Sequence, residues 1–274
     1  RSLEALHKPN AAGAVAKAWK YLGHKDRHIR WAARIAIEHQ PAAEWQAKAL
    51  AEKDPQAALT ALCALARQGD ASLQGKLVAA LNKLNWATLT PAQQAELLRV
   101  YQLAFIRMGK PNAADAAAVE KKLDAVFPAP VNLLNYELVT LLVYLESPNV
   151  IAKTLKLLAQ STDQSKYDWA ESLLARNTGY GRAFAAAAAS PPQRDQIHYA
   201  KELRNLAKHW TSSNGWSTSV GIVRRRNSAV ATASRSFCAT SATRHWSTRR
   251  RGNALPLMRW RVSPLRPDRH LRLI

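Results

Sequence analysis

The feature that most constrains the fold is a recurrence of paired amphipathic helices. Apolar residues recur at helical spacing along most of the first 210 residues, and glycine, proline or capping side chains separate the segments. The predicted pairs begin near residues 10, 42, 72, 113 and 149, so successive pairs start 32, 30, 41 and 36 residues apart. A drifting period in the thirties, built of helices alone, is typical of an α-solenoid. The alternative is a non-repetitive helical bundle.

Residues 26–40 show the helical pattern most completely. Residues at positions i, i+4, i+7 and i+8 form one apolar face, which consists of Ile29, Ala33, Ala36 and Ile37. Asp26 is suited to cap the N-terminus, and Pro41 cannot continue the helix. Trp31 and Ile35 form a second apolar edge, so we expect this helix to contact neighbours on two sides.

Similar reasoning predicts the other helices and the extent of the domain. They are expected over residues 10–22, 41–53, 55–68, 71–84, 91–108, 111–127, 131–146, 148–160 and 192–209, with one more beginning at Asp163 and broken at 179–181. The helix at 192–209 would open a sixth pair, but no helical pattern follows it. We therefore expect an all-α solenoid over residues 1–210, with about five helix pairs plus one unpaired helix.

Residues 211–274 differ from the rest of the chain in composition and charge. Residues 1–210 hold 27 Lys+Arg and 18 Asp+Glu, a net charge of +9. The remaining residues hold 13 Arg and a single acidic residue, Asp268, a net charge of +12 out of the total of +21. Taken literally, this is a disordered Arg/Ser-rich tail of the kind that binds nucleic acid or membranes.

A reading-frame shift is the other interpretation of residues 211–274. When permissible codons are read one base earlier, residues 212–222 can give LEQRMEYFRWY and residues 227–247 can give FRGGHSFALFLRDIRDAALVN. The shifted text mixes acidic and basic residues and regains a helical pattern, which is the consistency expected of natural sequences. We expect the tail to be out of frame, and sequencing the gene across codons 207–213 tests this.

Several segments resemble a known group of proteins. The pattern in residues 26–37 resembles the second helix of a HEAT repeat. Together with residues 49–67, 97–111, 135–158 and 196–206, it is similar to the HEAT-repeat region of large envelope proteins of planctomycete-type bacteria. In that group this region usually follows a β-propeller of the membrane-bound dehydrogenase type and precedes a c-type cytochrome domain. The resemblance implies a periplasmic or envelope location, and the non-methionine start at Arg1 suggests a fragment of such a protein.

The resemblance does not extend to a cofactor site in this chain. The cytochrome domains carry haem c on a Cys-x-x-Cys-His motif, whereas Cys63 and Cys238 are isolated and no His follows at that spacing. His24 and His28 are four residues apart but lack further ligands nearby, and a structural zinc site needs about four. We therefore predict no catalytic, cofactor-binding or metal-binding residues here. The longest apolar run, at 138–145, is shorter than the ~20 residues of a membrane span.

The candidate docking surface is a basic stripe on the helix at 26–40 and the turn before it. The stripe consists of Lys25, Arg27, Arg30 and Arg34, and its alternative interpretation is an ordinary solvated helix face. Two sets of aromatic residues at helical spacing are interpreted as core. They are Trp86, Tyr101 and Phe105, and Tyr136 with Tyr144.

These observations predict a non-catalytic scaffold or docking segment of a larger envelope redox protein. Its partner would be a neighbouring domain or another protein. The rival function is a nucleic-acid-binding HEAT-like protein, such as an alkyl-purine DNA glycosylase, suggested by the charge of +21 and nine tryptophans. That rival weakens because more than half of the excess charge, and three of the tryptophans, belong to residues 211–274.

Overall fold

The structure, a computed structural model, describes residues 2–160, 194–206 and 208–211. Regular structure within these ranges consists of helices, with no strand, which confirms the all-α class for the described part of the chain. The α-helices are α1 (Ala14–Trp19), α2 (Arg27–Glu38), α3 (Ala42–Ala51), α4 (Pro55–Gln68), α5 (Gln74–Lys83), α6 (Pro91–Met108), α7 (Ala113–Val126), α8 (Asn132–Tyr144), α9 (Val150–Gln160) and α10 (Arg194–Leu203).

Capping side chains begin several helices where the sequence predicts. Asp26, Asp54 and Asn112 each accept a hydrogen bond from a backbone N–H in the first turn of α2, α4 and α7. Thr90 and Gln93 form a reciprocal capping box at the start of α6. The first backbone N–H groups of a helix have no acceptor within the helix, and these side chains supply one. The starts of these four helices therefore follow from local sequence.

The predicted bounds of several helices differ from those observed, and α10 ends at Leu203 rather than at 209. The starts of α1 and α5 differ by three residues or more. Helix α1 begins at Ala14, four residues after its predicted start, because Gly13 adopts a left-handed conformation with φ of 67°. The predicted helix at 71–84 is instead a 3₁₀ turn, Ala71–Leu73, followed by α5. Asp70 caps the turn rather than the α-helix.

The helices pack in two groups that alternate along the chain. Helices α2, α4, α6, α8 and α10 form a row in which each contacts the next; we call this row the second-helix layer. Helices α3, α5 and α7 contact one another in the same stepwise manner on the other side. Among α1 to α9, the helix pairs with extensive contacts are neighbours or next-but-one neighbours in chain order. Helix α10 contacts α8 and α9, and residues 161–193 between them lie outside the described part of the chain.

One apolar core runs through the described residues, from Ala18 to Leu206. Of the first aromatic set, Tyr101 and Phe105 on α6 are buried in it, as predicted, whereas Trp86 precedes α6 and packs against the core only partly buried. The second aromatic set is only partly core. The ring of Tyr144 stacks on Phe105, with centroids 5.6 Å apart, but the residue remains 43% exposed.

Helix α10 contacts the preceding helices α8 and α9. The residues that would supply a following partner lie outside the described ones, so the expectation that the helix at 192–209 lacks such a partner stays a prediction. Tyr199 and Leu203 are buried, and the helix that carries them packs on these two preceding helices. It therefore continues the second-helix layer beyond α8. The predicted helix beginning at Asp163, the break at 179–181 and the tail from residue 212 lie outside the described residues.

Candidate functional site

A groove of about 760 Å³ crosses three successive helices of the second-helix layer. We call it the cationic groove, because arginines from two of the three helices line it. Its lining residues are Arg27, His28, Arg30, Trp31 and Arg34 of α2, Leu59, Thr60 and Cys63 of α4, and Ala95, Glu96, Arg99, Val100 and Leu103 of α6.

Helix α2 supplies the exposed aromatic side of the groove. Arg27, Trp31 and Arg34 lie at i, i+4 and i+7, which places them on one side of the helix. Trp31 is 58% exposed, so the predicted second apolar edge does not pack into the protein core at this residue. Ile35, the other residue of that edge, is partly buried. An exposed indole on the wall of a concave surface is suited to contact an incoming apolar group.

Arg30 is held in place by contacts from two directions. Its Nη1 donates to the carbonyl oxygens of His24 and Lys25, at 2.9 and 3.1 Å. Its Nη2 lies 3.2 Å from Glu96 Oε1 of α6. Glu96 Oε2 also accepts from Gln56 Nε2 at 2.6 Å, so this carboxylate connects α2, α4 and α6.

Arg34 belongs to a second ionic cluster at the α2–α4 contact. Glu38 Oε1 lies 2.9 Å from Arg34 Nη1 and 2.9 Å from Arg67 Nε, and the Glu38 side chain is 5% exposed. The spacing of four residues predicts the Arg34–Glu38 pair, and the structure confirms it. Arg34 Nη1 also lies 3.6 Å from Cys63 Sγ. Burial raises the pKa of the Cys63 thiol, which therefore stays protonated near neutral pH.

The groove contains three of the four residues of the predicted docking surface. Arg27, Arg30 and Arg34 line it, whereas the fourth, Lys25, is exposed beside it in the turn before α2. The alternative interpretation as an ordinary solvated face is wrong for Arg30 and Arg34. Their side chains are only 16% and 15% exposed, because each pairs with a carboxylate.

Sequence reasoning missed the part of the groove that α4 and α6 provide. Glu96 is 66 residues from its partner Arg30, and Cys63 is 29 residues from Arg34. Arg99, also of α6, is 69% exposed and pairs with Glu137 of α8 at 2.7 Å. No local spacing relates these residues to α2; their approach depends on how the helices stack side by side.

The groove combines an apolar surface with excess positive charge. The apolar part comes from Leu59, Val100 and Leu103, of which the first two are buried beneath its surface. Its lining includes four arginines and one carboxylate, so the formal balance is positive. Arg27 forms no ion pair within the described residues, and the exposed Arg99–Glu137 pair contributes only ~0–1 kcal/mol. Both arginines are therefore available to a ligand.

A buried polar cluster joins α8 to α10. Asp195 accepts hydrogen bonds from Tyr136 Oη and from Asn132 Nδ2, the latter at 2.6 Å. Tyr199 Oη donates to Asn132 Oδ1 at 2.9 Å, and the His198 ring lies 4.5 Å from that of Tyr136. Because these groups bond to one another across the helix contact, the cluster positions α10 on α8.

A smaller cavity of about 500 Å³ lies at the C-terminal end of α5. Lys122 of α7 lines it, and its Nζ donates to the carbonyl oxygens of Leu81, Asn82 and Leu84 at 3.0, 3.1 and 2.7 Å. Burial lowers the pKa of Lys122 to about 8. The ammonium satisfies carbonyls that the helix end leaves free, so its role here is structural.

The histidines of the described residues do not form a metal site. That part of the chain brings together no group of three or more His, Cys, Asp or Glu side chains placed to hold a metal. His28 is exposed in the groove, and His24 Nδ1 instead accepts from the backbone N–H of Asp26 at 3.0 Å. None of the described helices combines the length and apolar character needed to cross a bilayer.

Comparison with known proteins supplies no relative. No protein-family model matches the sequence, and neither a curated protein nor a solved structure is significantly similar to it.

Proposed function

We propose that this chain is a non-catalytic, HEAT-like α-solenoid scaffold that docks a neighbouring domain or a protein partner. The observation that carries the proposal is the cationic groove, which three successive helices of one layer build together. On the resemblance described above, we propose that the scaffold is part of an envelope redox protein, between a β-propeller and a c-type cytochrome domain. In that setting haem belongs to the neighbouring domain.

The order of helix contacts supports a solenoid. Among α1 to α9, helices contact their neighbours and next-but-one neighbours in the chain, and contacts between more distant helices are not among the extensive ones in this part of the chain. This nearest-neighbour pattern is the property that defines repeat arrays. Repeat arrays commonly use one face, formed by equivalent helices, as an extended binding surface.

The chemical state of the groove favours binding over catalysis. Its only carboxylate, Glu96, is already bonded to Arg30 and Gln56. Its only thiol, Cys63, is kept protonated by burial, and a neutral thiol is a weak nucleophile. The groups on its surface that remain available are the guanidinium groups of Arg27 and Arg99 and the indole of Trp31. Arginine and tryptophan are frequent in protein–protein interfaces.

Calorimetric titration tests the proposal. The full chain is titrated with a purified β-propeller domain and with a c-type cytochrome domain, each from an envelope protein of the group it resembles. We expect at least one to bind, and Trp31→Ala or Arg27→Glu to weaken binding about tenfold, or by ~1.4 kcal/mol. The matched controls are Ile106→Ala and Lys76→Glu, which alter exposed residues outside the groove.

Two results would count against the scaffold proposal. One is the absence of binding to either domain. The other is binding that the groove variants and the control variants weaken equally, since the groove would then not be the docking surface.

Nucleic-acid binding is the second candidate function. It is favoured by the arginines and exposed indole that share one groove, because arginine binds phosphates and an indole can stack on a base. Titration with a labelled DNA duplex at rising salt tests it. Affinity that falls steeply with salt and is lost in Arg27→Glu would support this candidate. Equal affinity in the groove variants would assign any DNA binding to the Arg-rich residues 211–274 instead.

A further inference from the structure

We infer that the cationic groove binds an acidic protein segment that also carries a large apolar side chain. This inference rests on the proposed docking function and adds the chemistry of the partner. It follows from two properties of the groove, its available arginines and its apolar surface beside Trp31.

The arginines of the groove select for carboxylates. Arg30 and Arg34 already bind Glu96 and Glu38, so the surface holds guanidinium groups in the geometry that a carboxylate accepts. Arg27 is exposed and forms no ion pair within the described residues. A partner carboxylate can pair with Arg27 without displacing any existing contact.

Arg99 offers a second position for a carboxylate, on the opposite wall of the groove. Its pair with Glu137 is solvent-exposed on the arginine side, and such pairs are weak and easily exchanged. Arg27 of α2 and Arg99 of α6 both line the groove, with α4 between them. A segment with acidic residues on both sides of an apolar one matches this arrangement.

The surface between these arginines accepts the apolar side chain. Trp31 stands 58% exposed at one wall, and Leu59, Val100 and Leu103 contribute apolar atoms. Packing an apolar side chain of the partner against the exposed indole removes the apolar surface of both groups from water. This hydrophobic contribution is the main favourable term in the free energy of most protein association. Large aromatic residues in such positions commonly carry much of the binding energy.

The same contacts disfavour a nucleic acid. Duplex DNA carries about one negative charge per 1.7 Å, and its binding requires several unpaired cations. Glu96, Glu38 and Glu137 instead place carboxylates beside three of the four arginines that line the groove. These carboxylates would repel phosphates, whereas a protein segment with few acidic groups can pair with Arg27 and Arg99 alone.

A peptide-binding experiment on the full chain tests the inference. The probe is a fluorescein-labelled peptide with a Leu-Phe pair flanked on both sides by Glu residues. Control peptides replace each Glu by Gln, or the Leu-Phe pair by Ser-Ser. Fluorescence anisotropy measures the affinities. We expect each control peptide to bind about tenfold more weakly than the Glu/Leu-Phe peptide.

Groove variants separate this binding from attraction to the basic tail. Residues 211–274 are common to all variants, so only a difference between variants reports on the groove. We expect Arg27→Glu and Trp31→Ala each to weaken peptide binding about tenfold, and Lys76→Glu and Ile106→Ala to leave it unchanged. Because all four residues are exposed, these changes should not prevent folding.

Cys63 reports whether the peptide occupies the groove. Alkylation of this thiol is followed by peptide mass spectrometry, which distinguishes it from Cys238. Saturation with the Glu/Leu-Phe peptide should slow alkylation of Cys63, and the Ser-Ser peptide at the same concentration should slow it less. Unchanged alkylation of Cys63 at saturation would overturn the inference.

The remaining outcomes separate this inference from the proposed function. If the Gln peptide binds as tightly as the Glu peptide, or no peptide binds, the inference that the partner is acidic is wrong. The docking function then still depends on the domain titration. If a DNA duplex displaces the peptide and its affinity is lost in Arg27→Glu, both the acidic partner and the scaffold function are wrong.

Discussion

At the residue scale, the buried carboxylate of Glu38 has the greatest structural consequence near the groove. It accepts from Arg34 and Arg67, one on its own helix and one on α4, and is 5% exposed. Helical spacing predicts the first pair. The second could not be predicted, because Arg67 reaches Glu38 only when α2 and α4 lie side by side.

Replacing Glu38 should destabilise the protein and disturb the groove. Glu38→Gln leaves the Arg34 guanidinium largely buried without its carboxylate, so we expect a loss of about 2 kcal/mol in the free energy of unfolding. Urea denaturation measures it. Glu44→Gln, an exposed position on α3, is the matched control and should change stability by less than about 0.5 kcal/mol. Equal effects of the two substitutions would show that the ion cluster contributes nothing.

Lys122 should give the protein a pH-dependent stability. Its pKa falls from 10.5 to about 8 on folding because the side chain is buried. Between these values the unfolded chain binds more protons than the folded one, so the contribution of Lys122 to stability rises with pH across that window. The difference in urea midpoint between wild type and Lys122→Met should therefore grow from about pH 8 to about pH 10 in favour of wild type.

The control for this prediction is Lys121→Met, which removes one positive charge at the exposed neighbouring position. Subtracting its effect leaves the contribution of burial. Burial also raises the pKa values of Tyr101 and Tyr199, which lowers stability above about pH 10, so the comparison ends there. A difference that is constant or shrinks with pH would contradict the structural placement of Lys122.

At the element scale, local sequence accounts for helix starts better than for helix partners. Asp54 and Thr90 cap helices that begin where the pattern predicts. The start of α1 was misplaced because the left-handed conformation of Gly13 leaves no trace in apolar periodicity. The contacts of α10 with α8 could not be predicted, because they depend on side chains about 60 residues away, such as Asn132, which lies 67 from Tyr199.

The polar cluster between α8 and α10 should control how easily α10 opens away from α8. Asn132→Ala removes a donor to Asp195 and the acceptor of the Tyr199 hydroxyl, so local opening of α10 should become easier by about 1–2 kcal/mol, or roughly 5–30-fold. Hydrogen exchange over 194–203 should speed up by that factor, while exchange in α4 and α6 stays unchanged.

Asn149→Ala is the matched control for α10, since Asn149 donates to Asp124 and does not contact this helix. It should leave exchange over 194–203 at the wild-type rate. Acceleration spread evenly over all described helices would mean that α10 opens only with the whole protein.

At the scale of the whole molecule, the all-helical class was more predictable than the lining of the groove. The all-helical class follows from periodicity, and the Arg27–Arg30–Arg34 stripe follows from the spacing on α2. The rest of the groove could not be predicted from the sequence. The residues that α4 and α6 contribute have no spacing that relates them to α2. The total charge describes the helical part of the chain poorly, since +12 of the +21 belongs to residues 211–274.

The most direct test of the account is hydrogen exchange on the full chain, free and saturated with the envelope domain that binds it. A docking scaffold predicts slower exchange in the groove helices α2, α4 and α6, with α3, α5 and α7 unchanged, and loss of this pattern in Trp31→Ala. Protection confined to α3, α5 and α7, or the same protection in Trp31→Ala as in wild type, would contradict the groove as the docking surface.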